Sequence, residues 1–120
     1  MKLGIVGSGG IVKDVLIALK PINTIEIQAI WVRPHSEAKG QTLAQENNIP
    51  QVYTDYEAFL GQADIDTVYI ALVNSAHYEY AKKALLAGHN VIVEKPFGSN
   101  LREVQELVHL AKEKNLFLWE

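Results

Sequence analysis

The chain has 120 residues, room for one domain around a single core. Apolar residues make up 48 % of it and charged residues 21 %, which excludes a disordered tail. The net charge is −3, with no run of Lys or Arg and no cysteine. This excludes disulfides and thiolate metal sites, leaves the redox compartment open, and argues against a nucleic-acid backbone footprint.

Lys2 to Val6 is nearly all apolar, as in a strand buried on both faces. A glycine cluster follows, and Ile11 to Lys20 then reads as a helix stopped by Pro21. Together they imitate a secretion signal, but Gly7, Gly9 and Gly10 cut the apolar stretch, and Lys13 and Asp14 charge it. No run approaches the ~20 apolar residues that span a bilayer, and a cytoplasmic protein is expected. Ile25 to Val32 is a second strand. Arg33, Pro34 and His35 make a turn, and Ser36 is placed to cap a helix to about Asn47. Gln51 to Tyr53 is a short strand, and Asp55 caps a short helix from Tyr56 to Leu60. Asp66 to Leu72 is the next strand. Ser75 to Ala87 is a helix with Ala81, Ala84, Leu85 and Gly88 on one face, and Gly88 and Asn90 read as stop residues. Val91 to Val93 is a buried strand. Asn100 and Glu103 resemble a capping box before the stripe Val104, Leu107, Val108 and Ala111, and Leu116 to Trp119 closes the series.

Strands alternating with helices across short connections select a parallel sheet with helices on both faces. The loop Gly7-Ser8-Gly9-Gly10-Ile11-Val12 leaves the first strand and opens the first helix, the place of a phosphate cradle. Gly7 permits the tight turn, Gly9 lets a pyrophosphate approach the backbone, and the helix start points free N–H groups at it. The third glycine of the dinucleotide fingerprint falls on Val12, a departure from the pattern. The expectation is a single Rossmann domain over residues 1–120, α/β/α in three layers, strand order 3-2-1-4-5-6.

NAD sites carry an acid at the end of the second strand, about 20 residues beyond the loop. Here Val32-Arg33 stands in that place. Arg33 can fork onto a 2′-phosphate or stack on adenine, with Lys39 and His35 adding positive character, so NADP is preferred to NAD. The same lack of an acid, and the Glu-Lys-Pro below, argue against an S-adenosylmethionine site. Two further segments end strands where ligands of open parallel sheets collect. One runs from Ala71 through Leu72, Val73 and Asn74 to His77, the other is Glu94-Lys95-Pro96. Lys95 is placed to hold a ribose hydroxyl or a substrate oxygen. Trp31 could flank an adenine or pack in the core; Tyr53, Tyr56, Tyr78 and Tyr80 fit helix–sheet packing better than a stacking surface.

The glycine loop, Asn74…His77, the Ala84-Leu85…Gly88-His89-Asn90-Val91 junction and Glu94-Lys95-Pro96, in this order, resemble the Gfo/Idh/MocA oxidoreductases over essentially the whole chain. The Glu-Lys-Pro motif is the most specific of the four. The resemblance implies NAD or NADP binding, hydride transfer to or from sugars, polyols and related compounds, and a catalytic Lys95 beside nicotinamide and substrate. It implies that Glu94 contacts the nicotinamide ribose region, and that Leu72, Asn74, His77 and Pro96 belong to the cofactor site. Val73 stands where the family commonly has proline. The resemblance further implies a C-terminal substrate domain absent from this chain, which supplies acid–base residues and commonly builds a homo-oligomer, so this fragment alone should be inactive. It implies a small-molecule substrate, with neither nucleic acid nor membrane as partner, and no metal. From the residues alone, a non-catalytic module that responds to NAD(P) is the alternative.

Overall fold

The computed structural model describes residues 1–72, 74–94 and 101–119, with only the backbone of 74 and 75. In chain order the elements are β1 (Lys2–Val6), α1 (Gly10–Leu19), β2 (Glu26–Trp31), a 3-10 turn (Pro34–Ser36), α2 (Glu37–Asn47), β3 (Gln51–Tyr53), α3 (Tyr56–Gln62), β4 (Thr67–Ile70), α4 (Asn74–Leu86), β5 (Asn90–Val93), α5 (Leu101–Glu113) and β6 (Leu118–Trp119). All strand pairings are parallel. The sheet order is β3-β2-β1-β4-β5-β6, the doubly wound arrangement that the alternation implies. β1 is central: Ile5 lies between Ile30 of β2 and Tyr69 of β4.

Strand alternation sends side chains to two cores. On one face, Leu3, Ile5 and Ile30 pack under Val12, Val15 and Leu16 of α1 and Leu43 and Ala44 of α2. On the other, Val6, Val68, Ile70, Val91 and Val93 pack under α3, α4 and α5 through Phe59, Ala81, Leu85 and Leu107. The first face is unevenly covered. Toward β5 and β6, Met1, Ile92, Phe117 and Trp119 line an apolar hollow of about 290 Å³, and Trp119 is 67 % exposed.

Several local expectations shift. Asp55 does cap α3, accepting from the N–H groups of Glu57 and Ala58. Ser36 caps nothing: Pro34–Ser36 winds into a 3-10 turn and α2 follows without a side-chain cap bond. Gly88, at φ +90°, ends the α4 turn, but Asn90 opens β5 instead of stopping a helix. Its Nδ2 donates to the Asp66 carbonyl at 3.3 Å, and its Oδ1 accepts from the Phe117 N–H at 3.0 Å. Of the Asn100–Glu103 capping pair, Asn100 lies outside the described residues. The tyrosines pack elements together as expected, with Tyr56 donating its hydroxyl to the Tyr80 carbonyl. Trp31 is core: it is 3 % exposed and meets Tyr56 edge-on at 5.4 Å. No described helix is long and apolar enough to cross a membrane.

The entry edge of the sheet is fastened by Asp66. Its carboxylate accepts from the Lys2 N–H at 3.0 Å and the Thr67 hydroxyl at 2.7 Å. Partial burial opposes ionisation, but those bonds and the charges of the N-terminus and Lys2 outweigh it and hold the carboxyl below its ordinary value. A depressed folded-state value stabilises the fold above the unfolded value of ~3.9 and loses that contribution as pH falls through the folded value. Asp66→Asn is therefore expected to lower stability at neutral pH and to flatten its loss on acidification. Urea unfolding at neutral pH and at about pH 3 checks this.

Candidate functional site

At the carboxyl end of the sheet, β1 leaves through Gly7, which sits at φ +123°. Its N–H donates to the Trp31 carbonyl at 2.8 Å. A Cβ here would lie 2.6 Å from the Ala71 carbonyl oxygen, so only glycine fits the conformation and the contact. Ser8 and Gly9 then lead into α1. Gly9 is its N-cap and makes no side-chain cap bond, and the first turn holds no acidic residue. The leading N–H groups of such a helix have no partner within it. A Cβ on Gly9 or Gly10 would meet nothing within 4 Å, so the space before them is open.

That space continues into a cavity of about 200 Å³. Gly7, Ser8 and Gly9 form one wall, Arg33, His35 and Ser36 a second, and Ala71 and Leu72 a third. Oriented N–H groups, a helix dipole and a guanidinium facing one hollow make an anion site. A larger hollow of about 580 Å³ between α2 and β3, around Asn48 and Pro50, has no ionisable lining residue and offers no comparable chemistry. No group of three or more potential metal ligands occurs among the described residues.

The structure sorts the expected site residues by reach. Gly7, Ser8, Gly9, Arg33 and Leu72 line the cavity; Gly10 and Ile11 open α1 at its edge, Ile11 being 47 % exposed. Val12 is fully buried. It packs α1 onto the sheet, the task its position has in the fingerprint. Val32 is also fully buried, and α2 closes on it at Gly40, where a Cβ would lie 2.8 Å from a Val32 methyl. Arg33 is thereby the first side chain after β2 to reach the cavity.

His77 is 1 % exposed and faces inward. Its Nε2 lies 2.6 Å from the Leu72 carbonyl oxygen; a carbonyl only accepts, so Nε2 carries the proton and donates. The part this geometry gives His77 is to hold the Leu72 loop that walls the cavity. Asn74 begins α4. Glu94 follows β5 directly, and its N–H donates to the Ile70 carbonyl at 3.0 Å. Lys95 and Pro96 lie outside the described residues. Ala71 and His35, within segments the sequence points to, are wall residues too, and Ser36, three positions beyond Arg33, joins them without having been expected.

A parallel sheet with its cradle at the β1 switch point, a glycine-started helix and a cation after β2 define a dinucleotide-binding domain. Residues 1–120 match the family described as "Oxidoreductase family, NAD-binding Rossmann fold", and the chain belongs to this Gfo/Idh/MocA family. It is 33 % identical over 119 residues to the trans-1,2-dihydrobenzene-1,2-diol dehydrogenase of Xenopus tropicalis, covering 99 % of this chain and 36 % of that protein. The Xenopus laevis enzyme of the same name is 34 % identical over the same span. Among solved structures, the 3-ketoreductase KijD10 of Actinomadura kijaniata with TDP-benzene and NADP superposes with a TM-score of 0.91 at 28 % identity, over 98 % of this chain and 36 % of that one. The biliverdin reductase of Synechocystis with biliverdin and NADP+ gives 0.88 at 27 % identity, over 98 % and 36 %. The chain thus spans just over a third of the length of these relatives. It is the NAD(P)-binding Rossmann domain of the family.

The open space before Gly9 yields a direct check. Gly9→Ala puts a Cβ into that space, where it meets no other group within 4 Å. Dinucleotide affinity is expected to fall at least ~10-fold by calorimetric titration, while the loss of a glycine N-cap costs only about 1 kcal/mol in urea unfolding.

Proposed function

We propose that this chain is the cofactor-holding part of an NAD(P)-dependent dehydrogenase or reductase whose substrate is a sugar, polyol or related small molecule. The observation that carries the reading is the uncapped start of α1 opening into a cavity that Arg33 faces. The bound nicotinamide supplies hydride chemistry, exchanging a hydride with a carbinol or carbonyl carbon; the chain's own residues hold and aim it.

The N–H groups at the start of α1 take the pyrophosphate. Arg33 takes the adenosine end, with His35 and Ser36 on the same wall. Because Val32 is buried and no acid stands at the end of β2, that position lacks a ribose-binding carboxylate and suits a 2′-phosphate. The NADP bound in KijD10 and in the biliverdin reductase supports this preference. Leu72, Asn74 and His77 flank the dinucleotide, Glu94 takes the nicotinamide ribose, and Pro96 belongs to the same cofactor site. Lys95 is the catalytic group, holding or passing a proton at the substrate oxygen.

A second domain completes the site. The relatives' nearly threefold length supports this, as does the bare apolar face around Ile92 and Trp119, which a neighbouring structure would cover. That domain supplies the substrate pocket, the remaining acid–base groups and an oligomer contact, and the fragment alone does not turn over. A cytoplasmic location is proposed with it.

Titrating NADPH and NADH against the fluorescence of Trp31 and Trp119 tests the reading. Saturable binding below about 1 mM is expected; no response to either would overturn it. Arg33→Ala should cost about 1.5–3 kcal/mol in NADPH binding and little in NADH binding. Equal losses would mean that Arg33 stacks on adenine and does not select the phosphate.

A further inference from the structure

One tyrosine on the α1 face of the sheet does more than pack. Tyr69 of β4 lies between Ile5 and Ile92 in the register and is partly buried against the Leu3–Ile5–Val12 core. A hydroxyl in such a setting costs free energy unless it is hydrogen-bonded. It donates to the Glu94 carboxylate, so Glu94 is held twice. Its N–H is tied to Ile70 and its carboxylate to Tyr69, neighbours on β4, at the edge that carries the cradle. Burial, the hydrogen bond and the negative charge of Glu94 all raise the Tyr69 pKa, so the phenol keeps its proton and remains a donor.

The two halves of a dinucleotide diverge from the start of α1. Arg33, beyond β2, marks the adenosine side, so the second ribose lies over the opposite, β4–β5 side, where Glu94 stands. A carboxylate has about four acceptor positions; one is used by Tyr69 and the others can accept from a vicinal diol. We propose that Tyr69 is a positioning residue, fixing the Glu94 carboxylate as the acceptor for the second ribose of the dinucleotide. The inference rests on the dinucleotide reading above.

ADP-ribose carries that ribose on its terminal phosphate, which in ADP is free and holds about one more negative charge, so the change in their affinity ratio on mutation, which cancels the charge difference, reads the contact. Tyr69→Phe should weaken ADP-ribose about 5-fold, the scale of one hydrogen bond, and leave ADP unchanged. In a Glu94→Ala background, Tyr69→Phe should change nothing further. A purely structural role would weaken both ligands together and shift the thermal midpoint. If Tyr69→Phe does not fold, Glu94→Ala in the otherwise native chain must by itself lower the ratio. An unchanged ratio in either folded variant overturns the inference and leaves the dinucleotide reading standing. Failure of the wild-type chain to bind ADP, ADP-ribose or either nicotinamide dinucleotide overturns both.

Discussion

The contact on which the rest of the structure turns is the closure of Gly7 between its two neighbouring strands. Its N–H reaches the Trp31 carbonyl at the end of β2, while its Cα backs onto the Ala71 carbonyl beyond β4. The Ala71 N–H returns to the Val6 carbonyl. Three chain segments therefore meet at one residue with no side chain. Any other residue would separate β1 from β4 at the place where the sheet reverses its order, and the cavity between the glycine loop, Arg33 and Leu72 exists because they are not separated.

Division of labour along the sheet follows from this pinch. One end of each strand is fastened internally: Asp66 and Asn90 link the starts of β1, β4, β5 and the approach to β6 through side chain and backbone. The other end is left with polar groups turned outward. On the β2 side these are cationic, at Arg33. On the β5 side they are acidic, at Glu94. A ligand anionic toward one end and hydroxyl-rich toward the other, as a dinucleotide is, matches this polarity.

The strand order was legible in the sequence because the connections are short and the central strand is apolar on both faces, which leaves few ways to wind the chain. Local chemistry was less legible. Ser36 has the composition of a cap, yet Pro34 two positions earlier winds the backbone into a 3-10 turn and takes the hydroxyl out of capping geometry. Asn90 resembles a helix stop, but its amide is used across strands, with partners 24 and 27 positions away. The pairing of Tyr69 with Glu94 is invisible for the same reason. His77 was more accessible: it precedes Ala81 by four residues and Ala84 by seven, on the stripe that turns α4 inward, and a polar residue on such a stripe usually serves the backbone behind it.

The unfinished start of α1 carries a thermodynamic consequence. Most helices borrow a serine, threonine or aspartate to complete their first turn; this one has Gly9 and no side-chain substitute. The anion that settles there takes over the missing cap's duty, so one set of N–H groups serves folding and binding together. Stability then becomes a function of nucleotide concentration through mass action. A domain wired this way is most robust when its coenzyme is plentiful and most exposed to unfolding and proteolysis when the pool runs low.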